Sequence, residues 1–348
     1  MVTLAALTTL RLGGRARRLV EANSVDEVVA AVATADRNAE PLLVIGGGSN
    51  LVVADAGFDG TVLRVASRGV SVEELGGHVR MAVAAGEPWD DLVARCVADG
   101  LAGVECLSGI PGLIGATPIQ NVGAYGQELA DTVASVRAYD RDTRAIVDLR
   151  PENCEFSYRS SVFKRSDRYV VLNVTLELRR SPTGRPPRYA ELAGRLDLEA
   201  NERAPLSELR EAVLALRREK GMVVDPADQE SVSAGSFFTN PILSAGCFAA
   251  LELRVQERSG YGIHLPSWAE TEGRVKTSAA RLIEHAGFGR GYGRGRVGIS
   301  RKHTLALVNR GGATTAELLD LAREVRDGVR AAFGITLEPE PTLVGVEL

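Results

Sequence analysis

The chain is poor in the residues that build metal sites and disulfide frameworks, with four cysteines and four histidines in 348 residues. Cys96, Cys106, Cys154 and Cys247 form no C-x-x-C pair, and His78, His264, His285 and His303 do not stand at ligand spacing beside them. A structural zinc site and a Cys–His nucleophile are therefore not expected, and the set of metal ligands is empty. In a cytosolic chain such cysteines read as reduced, mostly buried small residues. Long apolar runs are also missing: nothing approaches the ~18 uninterrupted residues of a membrane span. The opening MVTLAALTTLRLGG has neither a basic start nor a continuous apolar run, which argues against a secretory signal and for a cytoplasmic protein without membrane insertion. Positive charge is not in excess, since 41 Lys+Arg against 45 Asp+Glu leave a net charge of −4. That balance gives no reason to expect a nucleic-acid partner. Internal repeats and low-complexity tracts are absent.

What remains is an ordinary soluble composition, 45% hydrophobic and 25% charged, in a chain long enough for two or three domains with their own cores. Ser24-Val25-Asp26-Glu27 is a capping box, followed by helical periodicity in VDEVVAAVATAD. PLLVI, LVVAD and TVLRV read as strands, so the first sixty-odd residues are expected to form one α+β unit. HVRMAVAAG is a further strand, and Pro88 opens an amphipathic helix that Gly100 closes. VRAYD, AIVDL and YVVLNVTLEL supply more strands, and SPTGRPPR at 181–188 reads as a boundary or mobile loop. Helices are expected from about Leu206 to Lys220, across TSAARLIEHAG, and from the cap at Thr314 to Phe333. HTLALVN and TLVGVEL are the last two strands.

Several stretches carry candidate chemistry. Gly46, Gly47, Gly48, Ser49 and Asn50 follow an apolar strand, where consecutive glycines allow backbone N–H groups to cradle an anion. A second strand follows rather than a helix, so this is not the dinucleotide fingerprint. A literal G-x-G-x-x-G at 293–298 has no strand before it, and GRGYGRGRVG reads as a basic, flexible surface loop in preference to an RNA-binding patch. The glycine- and proline-rich segment at 110–126, IPGLIGATPIQNVGAYG, is too long and apolar for an ordinary connection and has the character of a cofactor wall. In YRSSVFK, Arg159 is placed either to clamp a carboxylate or to make a surface ion pair. In LEPEP, Pro339 and Pro341 hold Glu340 extended, as a fixed acid or as part of a polar turn. AGSFFTNPI sets Ser236 between Gly235 and two phenylalanines, dry surroundings for a hydroxyl.

Taken in order, VIGGGSNLV, IPGLIGATPIQNVGAYG, YRSSVFK, AGSFFTNP, KTSAARLIEHAG and LEPEP closely resemble the UDP-N-acetylenolpyruvoylglucosamine reductases of peptidoglycan precursor synthesis. RYAEL at 188–192 resembles the longer of the two types in that family, which carries a loop with a substrate-binding tyrosine. The resemblance implies an α+β flavoprotein of three domains. A first FAD-binding part covers 1–66, with the tail at 339–348 packing back on it. A second FAD-binding part covers 67–217 and a substrate domain covers 218–338. The flavin-binding part is that of vanillyl-alcohol oxidase and p-cresol methylhydroxylase. Implied partners are FAD, NADPH and the UDP-sugar, bound by a monomer with no nucleic acid.

The same resemblance implies the roles of individual residues. Residues 46–50 would bind the FAD pyrophosphate. Ile110, Pro111, Gly112, Gly115 and Ala116 would wrap the flavin together with Gln120, Asn121, Gly123, Ala124 and Tyr125. NADPH would pass a hydride to flavin N5, and C3 of the enolpyruvyl group would then receive it. Ser236 would deliver the proton to C2 while Arg159 and Glu340 stabilise the enolate. Tyr189 and Lys220 would contact diphosphate and cofactor phosphates. Asn240, Tyr158 and Lys276 would be further substrate contacts, and His303 would lie near the substrate carboxylate. Two other readings are a flavin-dependent alcohol oxidase of the same fold and an RNA-binding protein acting through the Arg/Gly loop. The oxidase has no use for YRSSVFK, Ser236 and Glu340 together, and the net charge of −4 argues against RNA.

Overall fold

Ser24 begins the first helix, Val25–Arg37, as its capping sequence requires. The serine hydroxyl accepts from the Glu27 N–H at 3.2 Å, and the Glu27 carboxylate accepts from the Asn23 N–H at 2.7 Å. The computed structural model describes residues 2–348, which divide into two units. The first contains residue 2, Ala16–Gly48 and Phe58–Val223. The second contains Thr3–Arg15, Ser49–Gly57 and Val224–Leu348.

In the first unit the helix Val25–Arg37 covers a parallel three-stranded sheet in the order Ala16–Ala22, Phe58–Val65, Leu42–Ile45. Val28 and Val32 of the helix pack with Leu63 and Val65, and with Tyr139, Val170 and Leu172 of a second sheet. That second sheet is antiparallel, ordered Ala145–Leu149, Val133–Asp140, Tyr169–Arg180, His78–Ala84, Val70–Leu75. The strand Ala16–Ala22 (ARRLVEA) has no clean alternation, and only its two end alanines are buried. Its pairing, not its pattern, makes it a strand. The helix Trp89–Ala98 forms as expected and Gly100 stops it at φ +69°. Residues 181–188, expected as a boundary or mobile loop, are instead stitched into this unit. The Gly184 N–H donates to Ala204 O at 3.1 Å, and the Leu206 N–H donates to Pro182 O at 3.1 Å. A Cβ at Gly184 would lie 2.4 Å from a Leu209 methyl group, so close packing explains the glycine.

Asp140, at the end of its strand, is 2% exposed and takes a two-pronged hydrogen bond from Arg168 at 3.0 and 2.8 Å. The Arg168 guanidinium holds its carboxyl below the ordinary carboxylate range. With the folded pKa below the unfolded one, the pair's stabilisation is present above about pH 4 and is lost as pH falls through the folded value. Asp140→Asn is expected to lower the urea midpoint at neutral pH and to flatten its decline between about pH 5 and 2. A variant with the wild-type acid slope would exclude this pair as the cause.

The second unit has an antiparallel sheet ordered Ser233–Ser236, Ala306–Asn309, Val297–Ile299, and another ordered Ile242–Ser244, Arg274–Thr277, Ser267–Ala269. The helix Thr315–Phe333 buries Leu318, Leu319, Ala322, Val325 and Val329 in the core, between a complete capping box at Thr314 and a left-handed Gly334. The helix Ala245–Ser259 was not anticipated. Only Leu251 and Val255 of it are buried, too few to give a clear period, and Ser244 caps it. LVVAD forms a strand as expected. Leu51–Val53 pairs in parallel with Thr342–Val344, and so belongs with the second unit.

The Arg/Gly loop is tied to its surroundings by several contacts. Arg310 donates to the carbonyls of Gly291 and Gly293 at 3.0 and 3.2 Å, and its guanidinium fills the space that a side chain at Gly298 would need. Arg296 pairs with Glu317 at 2.8 Å. Three of the cysteines, Cys96, Cys106 and Cys154, are buried and unpaired, and Cys247 is exposed. No helix among the described residues is long and apolar enough to cross a membrane.

Candidate active site

The predicted site residues fall into two groups, one in each unit. In the first unit the glycine turn lies against the long loop. A Cβ on Gly47 would come 3.1 Å from Gly112 Cα, and one on Gly46 would come 3.4 Å from Leu113. Gly48 is left-handed at φ +60°. The N–H groups of Gly47 and Gly48 enter no hydrogen bond of the described chain, which leaves them available to an anion. The long loop gains order from short 3-10 turns at Glu105–Leu107 and Ile114–Ala116 and from the hairpin Gly123–Ala124/Gln127–Glu128. Ile110, Pro111, Gly112, Gly115, Ala116 and Gln120 are half-buried along it, as are Gly123, Ala124 and Tyr125. Gly115 is fixed by its N–H bond to Ala85 O at 2.8 Å, and a Cβ there would sit 2.6 Å from Ala85 Cβ.

Tyr125 gathers two of the predicted substrate residues. Tyr189 meets its ring edge-on at 6.1 Å, and Lys220 Nζ stands 5.5 Å over it while pairing with Glu191 at 2.5 Å. Burial pushes the Tyr125 phenol up to about 12. Arg217, one helical turn before Lys220, was missed by sequence reasoning. Its Nη2 donates to the carbonyls of Met222 at 2.9 Å and Gly109 at 3.4 Å, yet its Nε is shut off from solvent without a partner. Burial lowers this guanidinium to about 10, against the pull of Tyr125 and Asp90, and the Arg159 charge lowers it further. The only signal in the sequence was the R-x-x-K spacing on one helix face.

Arg159 sits in a tight turn in which the Ser157 and Ser160 N–H groups each donate to the other's carbonyl at 3.1 Å. Its backbone is left-handed, at φ +52°. Its guanidinium donates to Gly123 O at 2.8 Å and lies 5.3 Å over the Tyr158 ring.

In the second unit Ser236 follows a bulge. Ser233 pairs with Val308 and Ser236 with Ala306, an offset made possible by Gly235 at φ +76°. Phe237 and Phe238 are each 1% exposed, edge-to-face at 5.1 Å, and anchor the half-buried serine. Phe238 bridges to Pro339, and the Glu340 N–H donates to Phe237 O at 2.9 Å. Glu340 is 9% exposed, and Asn50 Nδ2 donates to its carbonyl at 3.4 Å. Thus Ser236, Glu340 and Asn50 are brought together by the Glu340–Phe237 backbone bond and by an Asn50 side-chain bond that spans 290 residues of sequence. Ser49 meets Thr9, which also donates to Ser233 O at 2.7 Å.

Asn240 accepts from Ala279 N–H at 3.0 Å, at the start of the helix Ala279–His285. Lys276 pairs with Glu270 at 2.5 Å. His303 is half-buried in the turn before the strand Ala306–Asn309, its carbonyl taken by Ala306 N–H at 3.1 Å. Glu230 holds this turn by accepting from Ser300 Oγ and Arg301 N–H, both at 2.7 Å.

The Gly47 and Gly48 amides, which enter no hydrogen bond of the described chain, suit an anionic group of a cofactor. Residues 16–148 match the family model of an FAD binding domain, and residues 225–344 match that of the UDP-N-acetylenolpyruvoylglucosamine reductase C-terminal domain. The chain is 58% identical over 348 residues to the UDP-N-acetylenolpyruvoylglucosamine reductase of Thermobifida fusca (strain YX), covering 100% of this chain and 98% of that protein. It is 57% identical to the enzyme of the same name from Streptomyces coelicolor, covering 99% and 90%. The crystal structure of UDP-N-acetylenolpyruvylglucosamine reductase from Thermus caldophilus superposes with a TM-score of 0.67 at 26% identity, over 99% of this chain and 97% of that one.

Proposed function

Because this chain belongs to the UDP-N-acetylenolpyruvoylglucosamine reductase family and carries its FAD-binding domain, we propose that it uses NADPH to reduce the enolpyruvyl ether of UDP-N-acetylglucosamine to UDP-N-acetylmuramate. The reading places it in the cytoplasm as a monomer that serves peptidoglycan synthesis. FAD, when bound, supplies a two-electron relay from the nicotinamide to C3 of the enolpyruvyl group.

The protein's own residues manage the charge that develops at C2. Arg159, with a planar fork of donors, takes the substrate carboxylate and stabilises the negative charge of the enolate. Glu340 acts with it on the enolate, and Ser236 gives its proton to C2. A serine hydroxyl is a weak acid and serves only where the carbanion is far more basic and the hydroxyl is held in place. The observation that carries the proposal is the Gly235 bulge, which presents Ser236 next to two buried phenylalanines while Glu340 is bonded to the first of them.

Gly46, Gly47, Gly48, Ser49 and Asn50 are assigned to the pyrophosphate, and the loop at 110–125 to the flavin. Tyr189 and Lys220 are assigned to the diphosphate, with Tyr158, Asn240, Lys276 and His303 as further substrate contacts. The functional division proposed is 1–66 and 67–217 for the cofactor and 218–338 for the substrate.

A two-stage anaerobic flavin assay tests the reading. NADPH should bleach the yellow protein, and the enolpyruvyl sugar nucleotide should restore its colour. A flavin that stays oxidised with NADPH but is reduced by an alcohol would replace the reductase with the oxidase.

A further inference from the structure

Asn121 is 1% exposed and left-handed at φ +45°. Its amide has two N–H donors and one carbonyl oxygen, and all are in use. Nδ2 donates to Glu128 Oε2 at 2.8 Å and to Ser157 O at 3.2 Å, while Oδ1 accepts from Ala130 N–H at 2.9 Å. Two acceptors on one side and a donor on the other leave a single orientation for the amide. Its side chain is therefore committed within the protein.

These bonds join the two pieces of structure that hold Arg159. Ser157 is the first residue of the turn that carries the Arg159 backbone. Glu128 pairs with Gly123, whose carbonyl receives the Arg159 guanidinium at 2.8 Å. One buried amide thus fixes the distance between the backbone of Arg159 and the group that aims its side chain. Lys164 adds a bond from Nζ to Arg159 O at 2.8 Å, and Ser161 Oγ donates to Ile119 O at 2.7 Å. The guanidinium is long and would lose rotamer entropy on clamping a carboxylate. A rigid cradle removes that cost before the substrate arrives.

We propose that Asn121 is a positioning residue for Arg159, locking the Ser157–Ser160 turn to the Gly123/Glu128 hairpin so that the guanidinium is preset for the substrate carboxylate. This rests on the assignment of Arg159 to that carboxylate. The test compares Asn121→Ser, Arg159→Lys and the double variant, each as FAD-loaded enzyme. Calorimetry gives the affinity of the oxidised enzyme for the enolpyruvyl sugar nucleotide, and stopped flow gives the two half-reactions.

Asn121→Ser is expected to weaken nucleotide binding and to slow flavin reoxidation by the nucleotide ~10–100-fold more than flavin reduction by NADPH. The double variant should be little worse than Arg159→Lys alone, because both changes remove the same interaction. Losses that multiply, or half-reactions that fall equally, overturn the proposal. Unchanged reoxidation in Arg159→Lys itself overturns the assignment of Arg159 instead. If Asn121→Ser does not fold, Glu128→Ala loosens the same clamp from its outer end. It must give the same pattern, more weakly, and a wild-type ratio of half-reactions then overturns the proposal.

Discussion

Ser236→Ala slows reoxidation of the reduced flavin by the enolpyruvyl sugar nucleotide by ~10²–10⁴-fold, the range that loss of a positioned proton donor commands. Flavin reduction by NADPH stays nearly intact, since no proton at C2 is involved. The reason lies in how the hydroxyl is held. Alanine removes only the side-chain oxygen, and Gly235, Phe237 and the Glu340 N–H continue to fix the backbone, so fold and cofactor content should survive. Stopped-flow traces of the two half-reactions separate the cases. Equal losses in both would return Ser236 to the role of a spacer, and two normal rates would move the proton donor elsewhere.

Gly57→Ala is expected to cause the largest loss of stability, about 3 kcal/mol or more, from backbone collision and left-handed strain together. Gly57 has φ +85°, and a Cβ there would lie 1.9 Å from the carbonyl oxygen of Arg15. All three nearest atoms belong to the Arg15 backbone, so no flexible side chain can move aside. Gly14 faces the same passage from the opposite strand of chain, where a Cβ would lie 2.1 Å from Asp55 O. The damage would spread within the second unit. Asp55 caps the long helix by accepting from Thr315 and Ala316 N–H at 2.8 and 3.0 Å, and Ala54 N–H donates to Val344 O at 2.9 Å. Thermal unfolding followed by circular dichroism measures the effect. A melting temperature within a degree or two of wild type would mean that the segment can relax.

The helices with strong caps were legible because their signals are local. Ser24 and Thr314 start their helices and Gly100 and Gly334 stop theirs, each acting within a few residues of itself. Elements whose stability comes from partners were not legible. Ala16–Ala22 has no alternation and becomes a strand by pairing with Phe58–Val65. Ala245–Ser259 buries only two residues, so its period is faint.

The candidate site divides in the same way. The glycine turn, the long loop, Arg159, Ser236 and Glu340 all stand out as unusual stretches of sequence, and their order along the chain identified the family. Arg217 did not stand out, because an arginine on a helix becomes notable only when its Nε is found buried and unpartnered. Asn121 stood out only as part of the long loop, and the three internal bonds of its side chain become visible only in the fold.

By itself, then, the sequence determined which residue types are available and where the chain must turn or stop, because capping, glycine conformations and charge act over short range. Tertiary structure alone decided which distant residues share hydrogen bonds. Glu340 reaches Phe237, Leu51–Val53 joins Thr342–Val344, and Asn121 reaches Ser157 only once the chain is folded. Such pairings are fixed by burial and backbone geometry summed over a whole unit, which no local stretch encodes.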